Sequence, residues 1–144
     1  MPREESQDVS VTIPTHNRPG RLRRAAKSVA NQTHPIAELL VVDNGSTVDY
    51  TDAREYLDSL AVETTYLEAA GGGACRARNA GADAAEGDVL MFLDDDDRWR
   101  QRKVERQLAA LDERTGLVYS ARVAVDRTGN EKYKIFGDGG GDLS

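Results

Sequence analysis

Apolar positions along this 144-residue chain switch repeatedly between a period of two and a period near 3.6, which predicts alternating strands and helices. Val9, Val11 and Ile13 alternate with Ser10 and Thr12, a short period-2 strand ended by Pro14. Thr15 to Gly20 is turn-forming. A helix follows to about Asn31, with Leu22, Ala25, Ala26 and Val29 on one face, and His34-Pro35 breaks its pattern. Leu39 to Val42 predicts a second, buried strand that closes on Asp43-Asn44-Gly45-Ser46-Thr47, a turn with a ready helix cap. The next helix is expected over Tyr50–Leu60, and Val62, Thr64 and Tyr66 alternate as a third strand. Ala69-Ala70-Gly71-Gly72-Gly73 is a loop whose backbone can approach a ligand closely, followed by a small, Ala-rich helix over Ala74–Ala85. Val89 to Leu93 is apolar at every position, which reads as a strand buried on both faces and central to the sheet. A fourth helix is expected from about Trp99 to Arg114, with Val104, Leu108 and Leu111 inward and Gly116 as its stop. Alternation from Leu117 to Val125, a turn at Asp126–Asn130 and a return over Lys132–Phe136 predict a hairpin.

Strand and helix alternate four times, so the fold class is α/β: right-handed crossovers, a mainly parallel sheet and helices on both faces. Residues 1–8 form a polar lead-in, residues 9–136 one domain, and the Gly- and Asp-rich residues 137–144 a tail expected to be disordered. In a parallel sheet every strand's carboxyl end falls on one edge, where ligands bind at a switch in strand order. That edge collects Thr15-His16-Asn17-Arg18, Asp43-Asn44-Gly45-Ser46, the three glycines with Arg76 and Arg78 beyond, and Asp94 to Asp97.

Composition narrows the chemistry. The net charge of -6 argues against nucleic acid or an anionic membrane as partner. A single cysteine, Cys75, excludes an internal disulfide and a CxxC metal site. The N-terminus carries no apolar signal region, and no stretch approaches the roughly 20 apolar residues of a membrane span. The expected location is the cytoplasm, at most peripheral to a membrane.

Four adjacent carboxylates at a strand end repel one another, and a divalent cation is the economical compensator, because hard cations take oxygen ligands. In an extended chain Asp94 and Asp96 would point to one side, roughly 6.5–7 Å apart. The competing reading is a solvated acidic loop with Asp96 or Asp97 capping the next helix. The company of the other three loops favours the cation. A cation, a glycine loop and arginines together suit a nucleoside diphosphate. Neither GxxxxGK[ST] nor a GxGxxG after the first strand is present, which disfavours P-loop and dinucleotide folds.

Five short stretches, in order, resemble the family 2 glycosyltransferases, which have the Rossmann-like GT-A fold. They are Val11-Thr12-Ile13-Pro14-Thr15-His16-Asn17-Arg18, Gln32-Thr33-His34-Pro35, Val41-Val42-Asp43-Asn44-Gly45-Ser46-Thr47, Ala77-Arg78-Asn79-Ala80-Gly81 and Phe92-Leu93-Asp94-Asp95-Asp96-Asp97. The resemblance implies an inverting transfer of a sugar from a nucleotide-diphosphate donor, with UDP favoured, to an acceptor hydroxyl on a glycan, lipid or protein. It also implies that Thr15 and Asp43 hold base and ribose, that Asp94-Asp95-Asp96 is the DxD motif, and that Asp94 or Asp95 lies near the ribose. Asp96 would ligate Mn2+ or Mg2+, and Arg78 would approach the phosphates. The family's general base is a carboxylate well downstream of DxD. Asp126, Glu131, Asp138 and Asp142 lack its context, so the chain reads as truncated, a donor-binding half with an expected tendency to self-associate.

Plainer readings stand beside these. Asp43 alone would make an Asx-turn, Thr15 an ordinary loop residue, and Arg78 a surface bridge to Asp83 or Glu86. His16 reads as a shaping residue, and Asn79 and Gly81 as helix-to-sheet packing. Two other functions also remain open: a sugar-phosphate nucleotidyltransferase, and a non-catalytic module that binds a nucleotide or a protein.

Overall fold

A computed structural model describes residues 7–69, 71–111, 118, 122–125, 128 and 131–135. Residues 1–6 of the lead-in, Ala70, Gly116 and Leu117, most of the Asp126–Asn130 turn, Phe136 and the 137–144 tail lie outside the described residues. The chain divides into two compact units, Met1–Gln101 and Arg102–Ser144.

In the first unit β1 (Val9–Thr15), β2 (Glu38–Asn44), β3 (Thr64–Ala69) and β4 (Val89–Phe92) alternate with α1 (Pro19–Ala30), α2 (Thr51–Asp58) and α3 (Gly73–Ala84). The strands pair in parallel in the order β3-β2-β1-β4. Three successive strands travel one way across the sheet, and the fourth returns to the far side of β1. The order therefore switches between β1 and β4, at the edge where Thr15 and Asp94–Asp97 emerge.

Which strand is buried on both faces differs from the sequence expectation. The alternation of β1 marks a strand with one apolar face, yet all seven of its residues are buried, including Ser10 and Thr12. The polar face is small: the Ser10 hydroxyl is fully bonded, whereas the buried Thr12 hydroxyl has no hydrogen-bond partner among the described residues. The Ser10 hydroxyl donates to Glu38 at 2.6 Å and accepts from the Gly87 N–H at 2.8 Å. Thr12 lies under α3, where a Cβ built on Gly81 would stand 2.3 Å from Thr12 Cγ2. Only a glycine lets the helix pass that close. Conversely, the apolar run of β4 is neither central nor buried on both faces. Among the described residues β4 is an edge strand, with Leu90 37% and Phe92 45% exposed. An apolar run does not encode which strands become neighbours, and α3 packs chiefly on β1, β2 and β3.

The rest of the core follows the helical spacing. Leu22, Ala25, Ala26 and Val29 of α1 are buried, as are Ala53 and Leu57 of α2. Val42, Ala69 and Ala77 form a cluster on the α3 face, joined by Leu67 and Ala80. The cap of α2 is not supplied by the 43–47 turn. Asp49 accepts from the Thr51 hydroxyl at 2.6 Å and from its N–H at 2.9 Å, and these bonds hold its carboxyl below the usual range.

In the second unit the expected helix is shorter, α4 (Lys103–Ala110). Residues 99–101 do not join it because their backbone is committed elsewhere. The Trp99 N–H donates to the Ser28 hydroxyl, while the Arg100 and Gln101 carbonyls accept from Gln32 and Thr33 just beyond α1. The hairpin forms as expected, with β5 (Arg122–Val125) antiparallel to β6 (Glu131–Ile135). Among the described residues no helix is long and apolar enough to cross a membrane.

Candidate functional site

The loops after β1 and β4 meet at the switch point. The Leu93 N–H donates to the Thr12 carbonyl at 3.0 Å, and Leu93 is buried, which extends the β1–β4 register one step past the strand. The chain then turns: the Asp97 N–H donates to the Asp94 carbonyl at 3.1 Å. The four aspartates are thus not extended, and their sorting differs from simple alternation. Asp95 points inward and is 5% exposed. Asp94, Asp96 and Asp97 point outward, each with an oxygen within 4.8 Å of the others. That is a set of hard oxygen donors converging on one point, the chemistry that Mg2+ and Mn2+ take.

Asp95 is held by the β1 loop. Its Oδ2 accepts from the Thr15 hydroxyl at 3.0 Å and the His16 N–H at 3.3 Å, and its Oδ1 accepts from Arg18 at 3.2 Å. The same guanidinium reaches Asp96 Oδ2 at 3.1 Å. Thr15 has one proton and gives it to Asp95, so it accepts from the Tyr50 hydroxyl 2.8 Å away. Tyr50 in turn accepts from the Ser46 hydroxyl at 3.3 Å and the Arg18 N–H at 3.0 Å, and Ser46 accepts from the Asn17 N–H at 2.9 Å. This chain of hydroxyls runs from the β2 loop to the buried carboxylate, each bond polarising the next. Thr15, 2% exposed, is one of its links.

Asp43 Oδ1 accepts from the Ser46 N–H at 2.9 Å, the Asx-turn that its sequence context allows. The residue remains half-buried at a narrow depression that it lines with Tyr50, Arg54 and Tyr66. Arg78, on the first turns of α3, pairs with Asp94 at 2.7 Å rather than with Asp83 or Glu86, and this bond holds its guanidinium still more firmly protonated. Gly71, Gly72 and Gly73 all have positive φ, at 75°, 103° and 86°, which brings open backbone to the start of α3. His16 shapes the β1 loop: its Nδ1 lies 2.7 Å from the Asn44 carbonyl, which requires the Nδ1–H form.

The structure therefore brings Asp94, Asp95, Asp96 and Arg78 together, with Thr15 directly behind them and Asp43 one strand away. Sequence reasoning brought Asn17 and Arg18 to this edge without giving either a role, and missed Tyr50. Arg18 forks between two carboxylates, one of them 77 residues away, and no local signal marks such a partner. Asn17 left one trace, because asparagine tolerates positive φ. At φ 52° it turns its amide oxygen to accept from the Thr47 and Val48 N–H groups.

Comparison with known proteins agrees with this arrangement. The sequence profile of the family described as "Glycosyl transferase family 2" matches residues 10–137. A Bacillus subtilis (strain 168) protein, provisionally named as the teichuronic acid biosynthesis glycosyltransferase TuaG, is 35% identical over 109 residues, 74% of this chain and 43% of its own. Among solved structures, S. aureus TarS 1-349 in complex with UDP has a TM-score of 0.63 at 27% identity, covering 74% of this chain and 32% of that one. TarS 1-349 has also been solved with UDP-GlcNAc. The mannosyltransferase PcManGT of Pyrobaculum calidifontis, solved with GDP-Man and Mn2+, shares the fold, with a TM-score of 0.66 at 23% identity over 88% of this chain and 39% of that one. The chain thus spans less than half the length of each of these relatives.

Proposed function

The chain belongs to glycosyl transferase family 2, and from that premise we propose that it forms the donor-binding half of an inverting transferase that moves a sugar from a nucleoside diphosphate to an acceptor hydroxyl. The observation that carries this reading is the meeting of three outward carboxylates with Arg78 at the switch between β1 and β4. UDP is the expected donor nucleotide, in keeping with the UDP and UDP-GlcNAc bound in the TarS structures. Asp96, flanked by Asp94 and Asp97, would hold Mn2+ or Mg2+, which when bound supplies a Lewis acid for the departing diphosphate.

The chain's own residues divide the remaining work. The Asp43 carboxylate, steadied by the Ser46 N–H, offers an acceptor to a base or ribose in the depression beside Tyr50 and Tyr66. Arg78, paired with Asp94 at 2.7 Å, would present planar donors to a diphosphate. Thr15, Asp95 and Arg18 fix the turn on which Asp94 and Asp96 stand. We assign the general base to no residue of this chain. The outer edge of β4, unpaired among the described residues and with Leu90 and Phe92 exposed beside it, belongs to the same reading as the place where copies of this chain self-associate.

The test is calorimetric titration of UDP and GDP, with and without Mn2+, on the wild type and Asp96→Ala. Micromolar binding of UDP that requires Mn2+ and disappears in the variant is the expected result. Binding of neither nucleotide would overturn the proposal.

A further inference from the structure

α1 carries Arg21, Arg23, Arg24 and Lys27 and no acidic residue, although the whole chain has 25 Asp and Glu against 19 Lys and Arg. Acidic partners for i,i+4 pairs were plentiful, and like charges on neighbouring turns repel, so helix stability does not account for the pattern. The arginines are not equivalent. Arg23 lies over the Tyr56 ring at 4.7 Å. Arg21 and Arg24 fall on the other flank, shared at helical spacing with Ser28. That flank faces the 95–101 segment: Arg18 bridges Asp95 and Asp96 at its start, and Ser28 accepts the Trp99 N–H further along. Arg21 and Arg24 line one open groove with Arg18. Both are exposed, and among the described residues neither forms an ion pair.

We propose that this groove is a subsite for a phosphate or carboxylate group on the acceptor, so that the acceptor is an anionic glycan. Side chains three apart on a helix stand roughly 5–6 Å apart at Cβ, close enough for two guanidinium forks to share one such group. Arg18 is the hinge between the two halves of the site: its guanidinium is spent on Asp95 and Asp96, and its own position walls the groove. An acceptor anion held by Arg21 and Arg24 therefore lies beside the aspartates. The chain's overall negative charge repels polyanions in general, which leaves this groove as the place where one is welcome. The acceptor role rests on the transferase reading above; the anion binding does not.

The experiment measures binding of labelled polygalacturonate, inorganic polyphosphate and neutral dextran to the wild type, to Arg21→Ser/Arg24→Ser and to Arg23→Ser, with UDP–Mn2+ titrated on each. The wild type should bind the two polyanions and not dextran. The double variant should bind them about tenfold more weakly, the combined effect of two exposed charge contacts. Arg23→Ser should bind like the wild type, and UDP binding should be unchanged throughout. Polyanion binding without UDP binding would keep the groove and remove the donor reading. Equal weakening in all variants, or no polyanion binding by the wild type, would overturn the subsite. So would binding confined to phosphatidylglycerol vesicles over phosphatidylcholine ones, which would make α1 a membrane-facing surface.

Discussion

Asp95 and Asp96 are adjacent in sequence and opposite in circumstance, and this separates their mutants. Asp95 is 5% exposed and accepts from Thr15, His16 and Arg18, whereas the Asp96 side chain is 39% exposed and among the described residues pairs only with the Arg18 guanidinium. Asp95→Ala leaves the buried Thr15 hydroxyl without its acceptor, while Arg18 keeps Asp96; the loss costs about 2 kcal/mol and lowers Tm by several degrees. Asp96→Ala removes a mostly solvated charge; its Tm should stay within about a degree of the wild type while Mn2+-dependent UDP binding is lost. Thermal denaturation of the two variants, run beside the nucleotide titration, checks both. Equal destabilisation would mean that the turn does not sort the carboxylates as described. The four-aspartate run was legible as a site, since no core position tolerates such charge. Which aspartate turns inward was not, because it depends on Thr15 and Arg18, brought to Asp95 by the β1–β4 pairing.

At the scale of elements, periodicity located each strand and helix of the first unit and failed on their neighbours. Alternation in β1 and the apolar run in β4 suggested the wrong strand as the one buried on both faces, because strand order is set by crossovers rather than by the strands' own residues. The Ala-rich α3, by contrast, announced close packing. Ala for Gly in a helix normally gains about 0.5–1 kcal/mol, but at Gly81 the added methyl meets the short, β-branched Thr12, and overpacking costs about 1–3 kcal/mol. The clash wins, so Gly81→Ala should lower the denaturant midpoint, and Thr12→Ser in the same chain should restore part of it. β3 carries a pH signature. The Tyr66 hydroxyl bonds the Arg54 carbonyl and Asp58 of α2, and burial, aided by the Asp58 charge, pushes its pKa from 10.0 up to about 12. The folded state then keeps a proton that the unfolded chain gives up. This contribution is fully present below pH 10 and is lost as pH rises towards about 12. Chemical denaturation across that window should show a decline that Tyr66→Phe flattens.

For the whole molecule, the consequence turns on one edge. β1 is flanked by β2 and β4, β2 by β1 and β3, but the outer side of β4 presents unpaired backbone among the described residues, beside Leu90 and Phe92 on one face. The relatives it matches are longer, and the matched part of this chain spans 43% of TuaG. A second copy is the partner that any solution of this chain supplies. The energetics limit how tight that pairing is. Leu90 and Phe92 are 37% and 45% exposed, so each has only part of a full burial of about 1.5–3 kcal/mol left to gain. Association costs at least about 4 kcal/mol in lost freedom. Two copies burying two side chains each, with a short strand pair between them, therefore come out only slightly ahead. The expected behaviour is weak, concentration-dependent dimerisation, visible by light scattering in concentrated solution and absent on dilution. Charges on an edge strand oppose pairing, so Leu90→Lys/Phe92→Lys should remain monomeric at every concentration while keeping its UDP titration, because neither residue lies in the turn that carries the aspartates. A wild type that is monomeric throughout would remove the edge from the list of interacting surfaces, and dimerisation that survives the double variant would move it elsewhere on the molecule.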